Sequence, residues 1–160
     1  MALTLLKNIG LDEVKSQLSV MLTEGIASPN VRKLAEKAVS NRQDQIAAIF
    51  NFVRDTFPYA EDPKGFELFI HPNRMALDYF NGRIRQGDCD DLALLSGAML
   101  GSIGHRVRIA LLATGGYEID HAITQVYSEA LGRWINVDCA STNPLGWEIS
   151  SGRSIYAEPK

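Results

Sequence analysis

The sequence lacks the features that define several classes of protein. It has only two cysteines, Cys89 and Cys139, too few for a disulfide scaffold, so a reducing compartment is expected. Lys and Arg together number 16 against 19 Asp and Glu, so the basic surplus of a nucleic-acid-binding protein is missing. No apolar run approaches the roughly 18 residues of a membrane span. We therefore expect a protein that binds neither nucleic acid nor membrane.

The start of the chain and its composition favour a cytoplasmic protein. Residues 1–7 (MALTLLK) carry no early positive charge, and their apolar stretch is too short for a signal peptide. The 160 residues are 46% hydrophobic and 22% charged, which is typical of a soluble globular protein. We expect a single domain over residues 1–160, while composition predicts no oligomeric state.

The first part of the chain, about residues 1–104, has the pattern of helices. Apolar residues at helix spacing predict five of them, at about residues 11–22, 31–38, 46–57, 74–80 and 90–103. A loop containing Pro63 and Gly65 separates the third from the fourth. The fifth is apolar on more than one face, so we expect it to be buried.

The second part, about residues 105–160, has the pattern of strands. Aliphatic and β-branched residues predict strands at about 107–114, 121–127 and 133–139, with another near Ile155. Helices followed by strands predict an α+β fold, with the helices packed on a mainly antiparallel sheet.

Cys89 lies in the segment GDCDDL (residues 87–92), where a turn opens the buried fifth helix. Backbone N–H groups at a helix start can stabilise a thiolate or an oxyanion, and Asp88 is placed to cap the helix. The alternative is a core cysteine that packs as a small apolar group. The residue and its position favour neither interpretation alone.

His121 begins one predicted strand and Asp138 ends the next. If residue 128 opposes residue 131 across a two-residue turn, then His121 opposes Asp138, with Cβ atoms about 4.5–5.5 Å apart. A bulge at Gly132 would instead slip the register by one residue. In the direct register the two side chains share a face within hydrogen-bonding reach.

Together these residues have the logic of a nucleophilic triad, in which Cys89 attacks, His121 moves the proton and Asp138 orients the imidazole. A helix N-terminus stabilises an anion by about 0.3–1 kcal/mol, which neighbouring aspartates can cancel. An imidazolium about 4 Å away contributes roughly 4 kcal/mol at an effective dielectric near 20. If Cys89 is reactive, His121 must therefore activate it.

These motifs resemble the transglutaminase-like superfamily, whose fold is papain-like. Their order along the chain is similar to the family's from about residue 43 to residue 140. The matching segments are FPY (57–59), GDCDDL (87–92), GHRVR (104–108), HAITQVY (121–127) and RWINVD (133–138). Two residues depart from the family pattern without removing a catalytic atom: Ile123 replaces a frequent aromatic residue, and Cys139 replaces a proline or small residue.

The resemblance implies Cys89 as nucleophile, His121 as base and Asp138 as orienting acid, with no cofactor. It implies attack on a protein or peptide amide to give a thioester, resolved by water in a peptidase or amidohydrolase and by an amine in a transglutaminase. Hydrolysis is favoured, since the chain shows no accessory domain and no calcium-loop pattern. The arrangement also resembles small bacteriophage and prophage members of the family.

Two further residues are considered for the site, each beside a simpler role. Gln86 is a candidate second oxyanion donor beside the Cys89 N–H, although a solvated loop residue is the favoured interpretation. Trp134 has the same parity along its strand as Asp138, so it is a candidate wall of the substrate cleft, with packing favoured.

Two other functional classes remain as alternatives. A zinc site would use Cys89, His121, Cys139 and an aspartate, but Cys139 should point to the opposite face from Asp138. The same parity disfavours a Cys89–Cys139 disulfide and makes Cys139 a buried structural thiol. The second alternative is a catalytically silent scaffold or binding module that keeps the fold.

Overall fold

A computed structural model of the chain describes residues 3–6, 10–61 and 67–160, without the side chains of residues 3–6, 67 and 68. Outside the described residues lie positions 1, 2 and 7 of the N-terminal segment and the predicted loop residues Pro63 and Gly65. The described elements, in chain order, are β1 (Leu3–Leu6), α1 (Leu11–Ile26), α2 (Pro29–Val39), α3 (Gln45–Thr56), β2 (Glu67–Ile70), α4 (Pro72–Phe80), α5 (Cys89–Ser102), β3 (Val107–Leu112), β4 (His121–Ser128), β5 (Arg133–Val137) and β6 (Ser154–Ala157).

The helices begin and end where local chemistry dictates. Ser28 caps α2 by accepting a hydrogen bond from the Val31 N–H, and Asp44 caps α3 in the same way through the Ala47 N–H. Pro58 follows the end of α3 because its ring cannot continue a helix. The five predicted helices are confirmed, to within a few residues at each end.

Helix α5 is the centre of the molecule. It is buried on every side, with α1, α2, α3 and α4 packed against it and the sheet on its other side. The contact with α1 depends on Gly25, where an added Cβ would lie 2.8 Å from the Ala98 Cβ. Contact with the sheet includes a polar bond, since the hydroxyls of Ser96 and Thr124 lie 3.0 Å apart in the core.

The main sheet has the strand order β5-β4-β3-β6, and every neighbouring pair is antiparallel. One face packs on α5, through residues that include Ile109, Ala122 and Val137. The other face carries a small apolar cluster of Ala110, Leu112 and Ile123. The predicted α+β class with a mainly antiparallel sheet is confirmed. Among the described residues no helix is long and apolar enough to cross a membrane.

The register of the β4–β5 hairpin differs from both predicted forms. Ser128 pairs with Arg133, and Thr124 pairs with Val137, so residues 129–132 form a four-residue turn. Gly132 donates its N–H to the Ser128 carbonyl at 2.8 Å, and its φ of +67°, which glycine adopts readily, leads the chain back into β5. The prediction that His121 lies directly opposite Asp138 is therefore wrong, as is the one-residue slip. The pairing moves by two residues, an even number, so the two side chains still share a face.

Strands β1 and β2 have no counterpart among the predicted elements. They pair antiparallel, with Leu3 opposite Ile70 and Leu6 opposite Glu67. Each has only four residues, too few for a periodic pattern to separate it from a loop. The part of the chain described from sequence as helical therefore contains a small second sheet.

A buried capping box joins β2 to the start of α5. The Asp88 carboxylate accepts the Asp91 N–H at 3.2 Å, and the Asp91 carboxylate accepts the Asp88 N–H at 3.1 Å. The other Asp91 oxygen accepts the Ile70 N–H at 2.8 Å. One buried carboxylate thus holds both the first turn of α5 and the end of β2.

We expect Asp91→Ala to lower the free energy of unfolding by about 2–4 kcal/mol, because two buried N–H groups lose their acceptor. Asp44→Ala removes an exposed N-cap and is expected to cost about 1 kcal/mol. Urea unfolding followed by circular dichroism measures both values. Equal losses in the two variants would show that Asp91 is an ordinary cap.

Candidate active site

Cys89 is the first residue of α5, and its side chain is partly exposed. The turn before it is held by backbone bonds, from the Gly87 N–H to the Pro58 carbonyl at 3.1 Å and from the Ala60 N–H to the Gly87 carbonyl at 2.8 Å. Gly87 is required there because an added Cβ would lie 2.8 Å from the Asp91 Cβ. The capping box and this pairing fix the position from which the thiol projects.

A cleft of about 670 Å³ opens at this end of α5. Cys89 and His121 both line it, which brings two of the three proposed catalytic residues to one space. Its other described lining residues come from α1, the segment after α3, the start of α5, β3 and the segments before β4 and β6; they are Leu11, Val14, Tyr59, Glu61, Asp88, Asp90, Leu111, Glu118, Ile119, Asp120 and Arg153.

The cleft is electronegative around the thiol. Five of the described lining residues are Asp or Glu, and one, Arg153, is an arginine. The pKa of the Tyr59 phenol is raised, first by burial and then by the negative charges of Cys89 and the nearby carboxylates. A cationic group would therefore be favoured in this space over an anionic one.

His121 and Asp138 are hydrogen bonded. The His121 Nε2–H donates to Asp138 Oδ2 at 2.9 Å, and the two side chains are 21% and 7% exposed. Asp138 lies one residue beyond the end of β5 and reaches His121 diagonally across the sheet. Its other oxygen accepts the Ala140 N–H at 3.2 Å, so the carboxylate is fixed from two sides.

Each member of this pair changes the titration of the other. The pKa of His121 is raised above 6.5, because the hydrogen bond and charge of Asp138 outweigh partial burial, and Asp120 adds to the effect. Burial alone would raise the pKa of Asp138, but the bonds from His121, Ser141 and Ala140 bring it below 3.8. The pair therefore favours a charged imidazole beside an ionised carboxylate.

Cys139 has the role that its strand position predicted. It is buried in the core, and its S–H donates to the Phe50 carbonyl with a sulfur–oxygen distance of 3.8 Å. Burial raises the pKa of this thiol to about 12. Cys139 therefore does not belong with Cys89 and His121 in a zinc site, and no group of three or more His, Cys, Asp or Glu among the described residues is placed to hold a metal ion.

The two secondary candidates do not line the cleft. Gln86 is exposed on the turn before α5. Trp134 packs edge-to-face on Tyr127 with a centroid distance of 5.5 Å, beneath the guanidinium groups of Arg106 and Arg108. Sharing a face with Asp138 places Trp134 on the same side of the sheet, but farther along the hairpin.

Sequence reasoning missed several residues that line the cleft. Tyr59 had a signal, because it is the last residue of the segment FPY (57–59) that follows the third helix. Glu118 and Arg153 had none, because they come from irregular segments that reach the cleft only in the folded chain. The Asp120 carboxylate binds the Thr114 N–H and the Gly115 N–H and so closes the loop that leads into His121.

We expect Asp138→Asn to lower the pKa of His121, because the amide cannot supply the charge that stabilises the imidazolium. Asp120→Asn is expected to lower it less, since Asp120 makes only the smaller charge contribution. Titration of the His121 ring protons by NMR measures both. A larger effect from Asp120→Asn would contradict this assignment.

The same shift makes stability depend on pH. Because the folded pKa of His121 is raised, its contribution is fully present below histidine's usual 6.5 and is lost as pH rises through the folded value. Urea unfolding against pH should therefore show the advantage of the parent protein over His121→Gln decreasing in that interval. An advantage that grows with pH would contradict the raised pKa.

Comparison with solved structures finds proteins of the same fold at low identity. A Cytophaga hutchinsonii protein described as a "putative cysteine protease" superposes with a TM-score of 0.55 and 16% identity over 96% of this chain and 61% of its own. A "putative protease" from Parabacteroides distasonis ATCC 8503 superposes with a TM-score of 0.54 and 13% identity over 81% of this chain and 26% of its own. Legionella pneumophila LapG, EGTA-treated, superposes with a TM-score of 0.52 and 14% identity over 96% of this chain and 88% of its own. This chain thus spans less than two thirds of the first two proteins.

Sequence comparison places the chain in a family. The search among curated proteins finds no match. The family model of the transglutaminase-like superfamily matches residues 31–139, more than half of the chain, and this span contains Cys89, His121 and Asp138. The match confirms the resemblance seen in the motifs, and the neighbouring structures agree with it in fold. The chain therefore belongs to the transglutaminase-like superfamily.

Proposed function

We propose that this protein is a cysteine peptidase or amidohydrolase that acts on a protein or peptide amide. In this proposal Cys89 is the nucleophile, His121 the general base and acid, and Asp138 the residue that orients His121. One observation carries the proposal: His121, bonded to Asp138 at 2.9 Å, lines the same cleft as Cys89.

The hydrogen bond to Asp138 assigns the two nitrogens of the imidazole. Nε2 donates to the carboxylate, so Nδ1 is the nitrogen that exchanges a proton with the Cys89 thiol. Asp138 keeps the ring in this tautomer and stabilises its charged form. A thiolate–imidazolium pair is the resting state that this arrangement favours.

The cleft itself does not favour a thiolate. Helix α5 contributes about 0.3–1 kcal/mol at its N-terminus, while Asp88 and Asp90 place negative charge beside the sulfur. The imidazolium is therefore the group that lowers the pKa of the thiol, and Asp138 supports it by raising the pKa of His121. Activation of Cys89 thus depends on the whole pair rather than on the helix.

The reaction then proceeds in two balanced steps. The thiolate sulfur bonds to the amide carbon, and the C–N bond breaks as His121 gives its proton to the leaving amine, which yields a thioester. His121 next takes a proton from water as the water oxygen bonds to the thioester carbon, and the C–S bond then breaks, which releases a carboxylic acid and restores the thiolate–imidazolium pair. At the first turn of α5 the Cys89 N–H is a candidate donor to the oxyanion.

The acidic lining supports a substrate that carries positive charge. Glu61, Glu118 and Asp120 would attract a lysine or arginine side chain of a peptide. They disfavour transfer to an amine, because an amine must lose its proton to attack the thioester and nearby carboxylates raise its pKa. Hydrolysis of a basic peptide is therefore favoured over transamidation.

We expect iodoacetamide to alkylate Cys89 well below pH 8 in the native protein, and His121→Ala to move this reaction to higher pH, because the imidazolium stabilises the thiolate. Peptide mass spectrometry against pH locates the label. Cys139, which is buried with a pKa of about 12, is the internal control and should stay unlabelled until the protein unfolds.

Either of two results would contradict the triad. Cys89 could be inert in the folded protein, or it could react with the same pH dependence in parent and variant. Both would mean that no thiolate–imidazolium pair forms, and the catalytically silent module would become the better account of the fold.

We expect the protein to cleave peptides with lysine or arginine near the scissile bond faster than acidic ones, and Cys89→Ala to abolish cleavage. The preference should decrease when salt rises from roughly 0.01 M to 1 M, since the Debye length falls from about 30 Å to 3 Å. A mixture of synthetic peptides read by mass spectrometry measures hydrolysis. Added cadaverine reports transfer to an amine.

Glu118→Gln should weaken the preference for basic peptides, because Glu118 is an exposed carboxylate of the cleft. Glu129→Gln changes an exposed carboxylate in the turn after β4 and is the matched control. Cadaverine adducts in place of hydrolysis, or a preference for acidic peptides, would overturn the proposed substrate class.

A further inference from the structure

Helix α3 holds the segment that carries Asp138. The Arg54 Nη2 group donates to the Asp138 carbonyl at 3.1 Å and also to the Asn143 carbonyl. The guanidinium lies 4.2 Å from the centroid of the Phe50 ring, one turn earlier on α3. One side chain thus connects α3 to both ends of residues 138–143.

The position of the guanidinium is determined by these two carbonyls. Arg54 Nε is buried, yet within the described part of the chain it has no hydrogen-bond partner. Burying an unsatisfied donor costs free energy, so other contacts of the Arg54 side chain must offset the cost of this orientation. The bonds made by Nη2 and the stacking on Phe50 are those contacts.

The segment beyond β5 is folded around the Asp138 carboxylate. Asp138 Oδ1 accepts the Ala140 N–H at 3.2 Å, and the Ser141 hydroxyl oxygen accepts the Asn143 N–H at 3.2 Å. Within this turn, Cys139 packs into the core beside Phe50. Arg54 therefore holds the backbone of Asp138, while its carboxylate extends to His121.

We propose that Arg54 is a positioning residue for the His121–Asp138 pair, fixing the Asp138 backbone so that its carboxylate meets His121 Nε2. This inference rests on the proposed function. Arg54 acts through geometry, since it bonds the main-chain carbonyl of Asp138 and not its carboxylate. Losing it lets residues 138–143 move away from α3 and lengthens the bond to His121.

The test compares three variants in the full chain. Arg54→Met removes the donors but keeps the apolar stem on Phe50. Arg54→Lys keeps a charged donor and should recover part of the effect. Arg108→Met is the matched control, because Arg108 is also partly buried, donates to Gln125 and stacks on Trp134, but does not contact residues 138–143.

Two readouts separate positioning from general stability. Both methionine variants are expected to lower the melting temperature. Only Arg54→Met should lower the pKa of His121 measured by NMR and reduce the rate of Cys89 alkylation at pH 7, by about tenfold for each unit by which the pKa of the thiol rises. Arg54→Lys should lie between this variant and the parent, and Arg108→Met should match the parent.

The outcomes distinguish this inference from the proposed function. If His121 titrates with an ordinary pKa in the parent, the His121–Asp138 pair fails and the proposed function fails with it. If the parent pKa is raised and Arg54→Met leaves it unchanged, only the role of Arg54 is overturned. Should Arg54→Met not fold, Arg54→Gln, which loses the charge and is shorter, takes its place: a parent-like pH profile of alkylation with an unshifted His121 in that variant overturns the positioning role.

Discussion

A helix that is apolar on every face is stable only when every face is covered, and α5 is such a helix. Four helices and the antiparallel sheet cover α5 between them, so the order of the layers follows from the burial of this one element. Close approach is possible because Gly25 leaves no side chain between α1 and α5. The other helices and the sheet pack along α5, and the candidate site lies at its N-terminal end.

The candidate site lies where that coverage ends. The first turn of α5 emerges between the helices and the sheet, and its polar groups must be satisfied there. The reciprocal bonds of Asp88 and Asp91 do this, and the Ile70 N–H draws β2 to the same point. Cys89 is thereby held at the surface end of a buried helix, beside the end of the sheet that carries His121.

The hairpin shows which part of the site could be predicted. The alternation of side chains along a strand has a period of two, so the shared face of His121 and Asp138 was predictable from residue parity. Their pairing was not, since a four-residue turn replaced the assumed two-residue turn and moved the register by two residues. The face was retained because the shift is even, and the hydrogen bond forms diagonally instead of directly across the strands.

By itself the sequence determined the helices, the main strands, the buried character of α5 and the order of the Cys, His and Asp motifs. Each of these depends on local spacing, which is written along the chain. Only the tertiary structure decided the short pair β1–β2, the acidic lining of the cleft and the contact of Arg54 with residues 138–143. These join segments far apart in sequence, such as α3 and the turn after β5, and no local pattern records which distant surfaces meet when the core closes.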